Sequence, residues 1–309
     1  MASMRGIKRR RESVQSTQQI TKAMKLVSTV KLQKARARVE ANEPYFELLY
    51  NTICSILSKT SSLDSKYLVK NESAGRAVLV MSSNRGLAGG YNSNIVKLVE
   101  NSGFDKENTY IYALGRKGLE GLSRKGFTIH KDYSDIINDP LYDDCMSLTK
   151  ELLEQFEKGE IGEIYVAYTD FKNTVVHDPV MRKLLPVDKE DFKPEESGES
   201  EEDQKLQMNY GIETEMQIPV NFGVAMPGGK TPEERVLNLI IPKYMTNIIY
   251  GAFLESIASE NAARMQAMDS ATENADDMIS RLSLQYNRAR QSSITQELTE
   301  IIAGAEAIQ

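Results

Sequence analysis

Tryptophan is absent from this 309-residue chain, and aromatic residues make up only 7% of it. That scarcity weighs against one thick globular core and favours an elongated, helix-rich shape. Cysteine is nearly absent too. Cys54 and Cys145 stand alone, without metal-ligand or redox spacing, and read as small hydrophobes. The two histidines, His130 and His177, have no Cys, His or carboxylate partners at ligand spacing, so nothing points to a metal site. No GxSxG element, kinase signature or other nucleophile motif is present, and the sequence supplies no catalytic constellation. No run approaches the ~18 apolar residues of a membrane span. The start, MASMRGIKRRRE, lacks the apolar centre of a signal peptide, and Glu12 within a helical pattern weighs against a transit peptide. A cytoplasmic protein is expected.

The most informative absence is that of helix breakers. Residues 252–303 contain neither Gly nor Pro, enough for about 78 Å of helix at ~1.5 Å per residue. TPEERV at 231–236 supplies a start, with Thr231 as N-cap, Pro232 at the first helical position and Glu233 and Glu234 in the first turn. Pro242 predicts a kink or short break. Beyond it Ala258, Met265, Met268, Ala275, Ile279, Leu282, Tyr286 and Ala289 alternate three- and four-residue steps, with gaps at Asn261 and Thr272. That is an interrupted coiled-coil seam rich in small residues. At the far end Ile294, Leu298, Ile301 and Ile302 keep helical spacing almost to the last residue.

The N-terminal segment reads similarly. Neither Gly nor Pro occurs between Ile7 and Glu43, and Ile20, Met24, Val27 and Val30 form a stripe that continues past Pro44 through Phe46, Leu49, Ile53 and Leu57. A lone amphipathic helix cannot bury its own stripe. The economical arrangement pairs the two terminal helices antiparallel, with the remainder of the longer one projecting. Between them the pattern changes. RAVLVMS (76–82), NTYIYAL (108–114) and GEIYVAYT (162–169) read as buried strands, with helices at about 91–101, 115–125 and 141–157. FKNTVVHDPVMRKLLP (171–186) reads as a final strand or hairpin. Such alternation implies a parallel, Rossmann-like open sheet with helices packed on it. The domain boundaries expected are 1–60 for the N-terminal helix, 70–186 for the central α/β domain, 187–230 for an acidic insert and return segment, and 231–309 for the C-terminal helix.

Charge is unevenly spread. Lys and Arg dominate residues 1–40, whereas 187–206, including KPEESGESEEDQK, is strongly acidic and reads as an exposed, mobile insert. A basic arm suits nucleic acid, a membrane surface or an acidic protein. Nucleic acid fits poorly, because no aromatic residue for stacking precedes Tyr45. SSNRGLAGGYNSN (82–94) sits where Gly-rich loops can wrap phosphate. Its Gly86, Gly89, Gly90 spacing matches neither the dinucleotide fingerprint nor the P-loop, and a tight strand-to-helix turn is the favoured reading.

LSLQYNRARQSSITQELTEIIAGA (282–305) closely resembles the terminal signature of the gamma subunit of rotary, F-type ATP synthase. The resemblance extends through SENAARMQAMDSATENADDMI (259–279), IKRRRESVQSTQQITKAMKLVSTVKLQKA (7–35) and SSNRGLAGGYN (82–92), and so covers the chain. Asn84 and Ala88 depart from the Asp and Cys common in the family, and neither Cys54 nor Cys145 offers the regulatory thiol pair of chloroplast-type members. The resemblance implies a central rotor shaft inside a ring of alpha and beta subunits. There it couples ion flow to ATP synthesis or hydrolysis and is not catalytic by itself. It implies no cofactor bound by this chain, with ATP/ADP and Mg held by partner subunits. Other implied partners are the epsilon subunit and the c-ring, not nucleic acid, at the cytoplasmic face of a bacterial membrane. By position in the family motif, rotor–stator contacts fall on Lys22, Met24, Lys25, Arg264, Met268, Arg290, Gln291, Thr295, Glu300, Ile301, Ala303 and Gly304, with Lys22, Met24 and Lys25 facing acidic lever loops. The alternative kept open is a nucleotide-binding α/β protein with a static coiled-coil tether.

Overall fold

A computed structural model describes residues 4–59, 66–68, 75–187 and 232–306. The expected acidic insert beyond residue 187 and the Thr231 cap lie outside the described residues. Two helices bracket the fold, α1 (Met4–Lys59) and α5 (Pro232–Glu306). Between them come β1 (Gly75–Met81), α2 (Tyr91–Glu100), β2 (Thr109–Leu114), α3 (Arg116–Arg124), β3 (Thr128–Asp132), a 3-10 turn at Ile136–Asn138, α4 (Tyr142–Glu157), β4 (Ile161–Phe171) and β5 (His177–Leu185).

The strands form one sheet in the order β3-β2-β1-β4-β5, parallel except for the antiparallel β4–β5 hairpin. Because successive side chains point to opposite faces, β1 feeds two cores. Val78 and Val80 pack with Ile111, Ala113 and Ala167 under Ile95 and Val99 of α2 and Leu122 of α3. Ala77, Leu79 and Met81 pack on the other face with Leu148, Leu152 and Phe156 of α4 and Leu237, Ile241, Met245, Ile249 and Phe253 of α5. A single helix therefore roofs the sheet with its first six turns and continues past it as a stalk.

Three differences from the expectations have physical causes. β3 was not foreseen: its residues TIHKD are mostly exposed at the sheet edge and lack an apolar alternation. Of the kink or short break expected at Pro242, the break is absent, since α5 runs unbroken across it. Its flanking residues Leu237, Ile241, Met245 and Ile249 are fully buried, and that packing outweighs the one backbone bond proline forfeits. The third concerns which face of α1 meets α5.

Candidate functional site: the two-helix shaft

α1 and α5 pair antiparallel along a regular seam. On α1 it follows Ile7, Arg11, Val14, Gln18, Thr21, Lys25, Ser28, Leu32 and Ala35, alternating four- and three-residue steps, all buried or half-buried. On α5 it follows Ala258, Asn261, Met265, Met268, Thr272, Ala275, Ile279 and Leu282, as the spacing predicted. The polar gaps Asn261 and Thr272 are buried seam positions rather than interruptions.

Beyond Pro44 the expected α1 stripe does meet α5, with Leu49 and Ile53 buried and Phe46 stacked on Tyr244, but before it the stripe faces elsewhere. Ile20, Val27 and Val30 are 58%, 57% and 53% exposed, and Leu26 joins them on the open side. In their place the seam carries polar rungs. Gln18 donates its amide to Asp276. The hydroxyls of Thr21 and Thr272 meet at 2.7 Å, and Lys25 Nζ lies 2.6 Å from Asp269 Oδ1. Arg11 stacks over the Tyr286 ring at 5.5 Å. Gln18, Thr21, Lys25 and Thr272 have each found a partner inside the seam, which is the condition for tolerating them there. Below these rungs Leu32 and Ala35 close against Ala258 and Ala262. The alanines let the two backbones approach closely.

The rungs fix the register. Extended to the start of α1, they bring Met4 opposite residues 289–293 of α5. Residues 291–306 therefore run on without a partner helix among the described residues, roughly 20–25 Å at ~1.5 Å per residue. Ile294, Leu298, Ile301 and Ile302 are exposed along that overhang. A helix turn bearing such residues gains nothing in water from standing alone.

The sequence-predicted contact residues divide into three groups. Gln291, Thr295, Glu300, Ile301, Ala303 and Gly304 are all exposed on the overhang, and Arg290 is exposed just before it. There the Thr295 hydroxyl donates to the Gln291 carbonyl at 2.9 Å, and Gln296 donates to Glu300 at 2.9 Å. Lys22 is exposed on the side of α1, with Met24 half-buried beside it. Lys25, Arg264 and Met268 are committed within the chain. Lys25 forms the Asp269 rung, and Met268 is buried in the seam. Arg264 pairs with Glu260 at 2.7 Å, their side chains only 12% and 16% exposed. Its other nitrogen points at the carbonyls of Arg85 and Gly86, each at 3.4 Å.

That last contact explains the Gly-rich loop. Asn92 Oδ1 accepts from the amide and hydroxyl of Ser83, and Asn84 Oδ1 accepts from the Arg116 amide at the start of α3. Gly89 adopts φ +55 where the loop passes Ala263 and Ala267 of α5. Gly115 has φ +126, and an added Cβ would lie 2.1 Å from the Ser82 carbonyl oxygen. Ser83, Asn84 and Asn92 thus spend their side chains on the chain itself, and the loop docks the sheet against the shaft. A cleft of about 470 Å³ remains where α1, the 137–139 turn and α5 meet. Lys31, Lys34 and Arg38 line one side, and Ile137, Leu254 and Ile257 are also in its lining. Arg38 is tied to Asp139 at 2.8 Å, while Lys22, Lys31 and Lys34 have no ion pair among the described residues. Among those residues no cluster of His, Cys, Asp or Glu could hold a metal ion. No helix there is long and apolar enough to cross a membrane.

A family profile described as ATP synthase matches residues 3–308. The ATP synthase gamma chain of Lachnoclostridium phytofermentans is 56% identical over 308 residues and the full length of both chains. The sodium-ion-specific gamma chain of Acetobacterium woodii is 38% identical, covering 99% of each. Among solved structures, a chain of the Euglena gracilis mitochondrial ATP synthase (OSCP/F1/c-ring) superposes with a TM-score of 0.65 at 18% identity, covering 99% of this chain and 94% of that one. That likeness concerns the fold.

Proposed function

The chain belongs to the ATP synthase gamma family, the central rotor of F-type ATP synthase, and from its geometry we propose how it turns and what it grips. The observation that carries the reading is the overhang. Sixteen or so residues of α5 hold helical form with four large aliphatic side chains in the open, which suits a bearing supplied by alpha and beta subunits. Apolar contact lacks the directional wells of ion pairs, so a tip of this kind can slide past successive surfaces without catching at one angle. Just below and among these aliphatic residues, Arg290, Gln291, Thr295 and Glu300 serve as angle-dependent polar contacts, each favouring one conformation of a neighbouring subunit over the others. Ile20, Leu26, Val27 and Val30 give the α1 side of the shaft the same apolar dressing.

For the acidic lever loops, Lys31 and Lys34, which line the 470 Å³ cleft and have no ion pair among the described residues, are better placed than Lys25, whose charge Asp269 already answers. Arg264 and Met268 act as internal struts. The sheet domain holds the shaft's base beside the epsilon subunit and c-ring, at the cytoplasmic face of a bacterial membrane. The chain itself is not catalytic; ATP, ADP and Mg belong to the partner subunits. A nucleotide site in the Gly-rich loop is disfavoured because its glycine spacing matches no phosphate-binding fingerprint and the side chains of Ser83, Asn84 and Asn92 are spent on the chain itself.

The test is reconstitution. Purified chain should hydrolyse no ATP, and adding it to alpha and beta subunits should restore rapid turnover. A disulfide from Ala303→Cys to a surrounding subunit should then slow or stall it. ATPase activity in the chain alone, or turnover in the mixture that is indifferent to the chain, would overturn the reading.

A further inference from the structure

The free end of the β4–β5 hairpin lies at the joint between sheet and shaft. Phe171 packs on the layer formed by Leu32, Ala35, Ala258 and Ala262. Ser259 of α5 donates its hydroxyl to the Thr169 carbonyl at 3.1 Å. One helical turn away on α5, Glu255 turns its carboxyl into the same joint. There it meets the carboxyl of Asp170 on β4 and the backbone amide of Phe171. Its Oε2 is buried with no hydrogen-bond partner among the described residues. Two carboxyl groups in contact cannot both be ionised without repulsion, and a carboxylate oxygen buried without a donor is costly. Sharing one proton removes both penalties.

The other charged or titratable groups facing this joint are few. From β4 comes Tyr168, itself held protonated by burial and by Glu255. From β5 comes Arg182, whose guanidinium stacks on Tyr168 at 5.7 Å. Across the hairpin, Asp178 stands opposite Asp170 and His177 opposite Phe171, and Lys172 Nζ pairs with Asp178 at 2.9 Å beside Asp170. On α5 the next charged pair, Glu260 with Arg264, is closed on itself.

We propose that Glu255 and Asp170 form a proton-dependent latch that ties the edge hairpin to the shaft helix: closed while they share a proton, loosened when both are ionised. Burial first, and then the neighbouring Asp170, push the Glu255 carboxyl up to about 7, so the latch operates near neutral pH. The folded value lies above that of an unfolded glutamate. The stabilisation is therefore complete at acid pH and lost as pH rises through about 7. His177 works with the opposite sign. Burial lowers its pKa, so deprotonation on raising the pH makes its burial easier and would tighten the hairpin. The direction of the effect thus separates the two groups. Because β4–β5 braces the base of the coiled coil, the latch sets how stiffly the sheet domain follows the shaft.

Hydrogen exchange on the full-length chain, corrected for intrinsic rates, tests this without partner subunits. Between pH 6 and 8 the amides of 169–178 should lose protection about tenfold, while those of β1 and β2 hold constant. Glu255→Gln should keep the hairpin protected at pH 8 and abolish the pH dependence. His177→Gln should leave the loss in place. Unchanged hairpin protection in the wild-type chain, or a pH dependence that survives Glu255→Gln, would overturn the proposal. Neither result bears on whether the chain turns inside a ring.

Discussion

Arg264→Ala separates an internal strut from an outward contact. In the structure Arg264 Nη1 sits 2.7 Å from Glu260, with both side chains more than four-fifths buried. Truncation leaves the Glu260 carboxylate without its partner, 16% exposed in the wall of the cleft that Lys31 and Lys34 also line. Breaking a buried pair from one side costs ~3–5 kcal/mol, and the remaining water contact places this pair at the lower end, about 3 kcal/mol. The two 3.4 Å approaches to the Arg85 and Gly86 carbonyls are too long to add much. If the cost is the orphaned charge rather than lost packing, removing both charges together should restore most of it. Glu260→Gln with Arg264→Met is expected within about 1 kcal/mol of wild type. Urea unfolding of the isolated chain, followed by circular dichroism and by tyrosine fluorescence to check for coincident transitions, reads all of these values. An exposed i,i+4 pair contributes only ~0.3–0.5 kcal/mol. A loss of that size for Arg264→Ala would refute the strut and return Arg264 to the surface role suggested by its motif position.

Gly115→Ala should cost at least about 2 kcal/mol and leave little soluble protein, since its Cβ would enter the Ser82 carbonyl and its φ of +126 suits glycine alone; a normal melting curve would contradict this. Ala262→Leu overfills the layer where Leu32 and Ala35 meet α5, so ~1–3 kcal/mol should be lost in the same urea assay, whereas Ala303→Leu on the overhang should be nearly neutral there. Thermal stability should fall between pH 5 and 8 by an amount on the order of 2–3 kcal/mol attributable to Glu255, because its folded pKa of about 7 exceeds the unfolded value; Glu255→Gln should flatten that slope. Thr21→Cys with Thr272→Cys should form a disulfide in the oxidised full chain, as their hydroxyls already touch, and failure to form it would place the register elsewhere.

The sequence was most legible where apolar residues and geometry coincide. The α5 seam was readable because alanine, methionine and leucine hold a three-and-four spacing from Ala258 to Leu282, and its polar gaps fell on true seam positions. β1, β2 and β4 were readable as short β-branched runs buried on both faces. The orientation of α1 was not. Its most apolar stripe, Ile20 to Val30, faces outward, and the inward face is built of Gln18, Thr21, Lys25 and Ser28. Hydrophobic periodicity finds the face that avoids water, whoever supplies the cover. Only the rungs to Asp276, Thr272 and Asp269 reveal that α5 takes the polar side. β3 escaped for a related reason, being an exposed edge with no apolar alternation. Arg264 shows the limit for site residues, because a charge inside a long helix carries no signal of whether its partner is another molecule or the glutamate one turn before it.

The most direct test of the rotor account follows the exchange of amides 291–306 with and without partner subunits. In the isolated chain this stretch has no neighbouring helix among the described residues, so it should exchange far faster than residues 258–282 of the same helix. Bound within a ring of alpha and beta subunits it should slow by at least about tenfold, with the exposed Ile294, Leu298 and Ile301 covered. Equal protection of the two stretches in the isolated chain, or an overhang that stays fast in the assembled ring, would contradict a shaft whose tip is lined by other molecules.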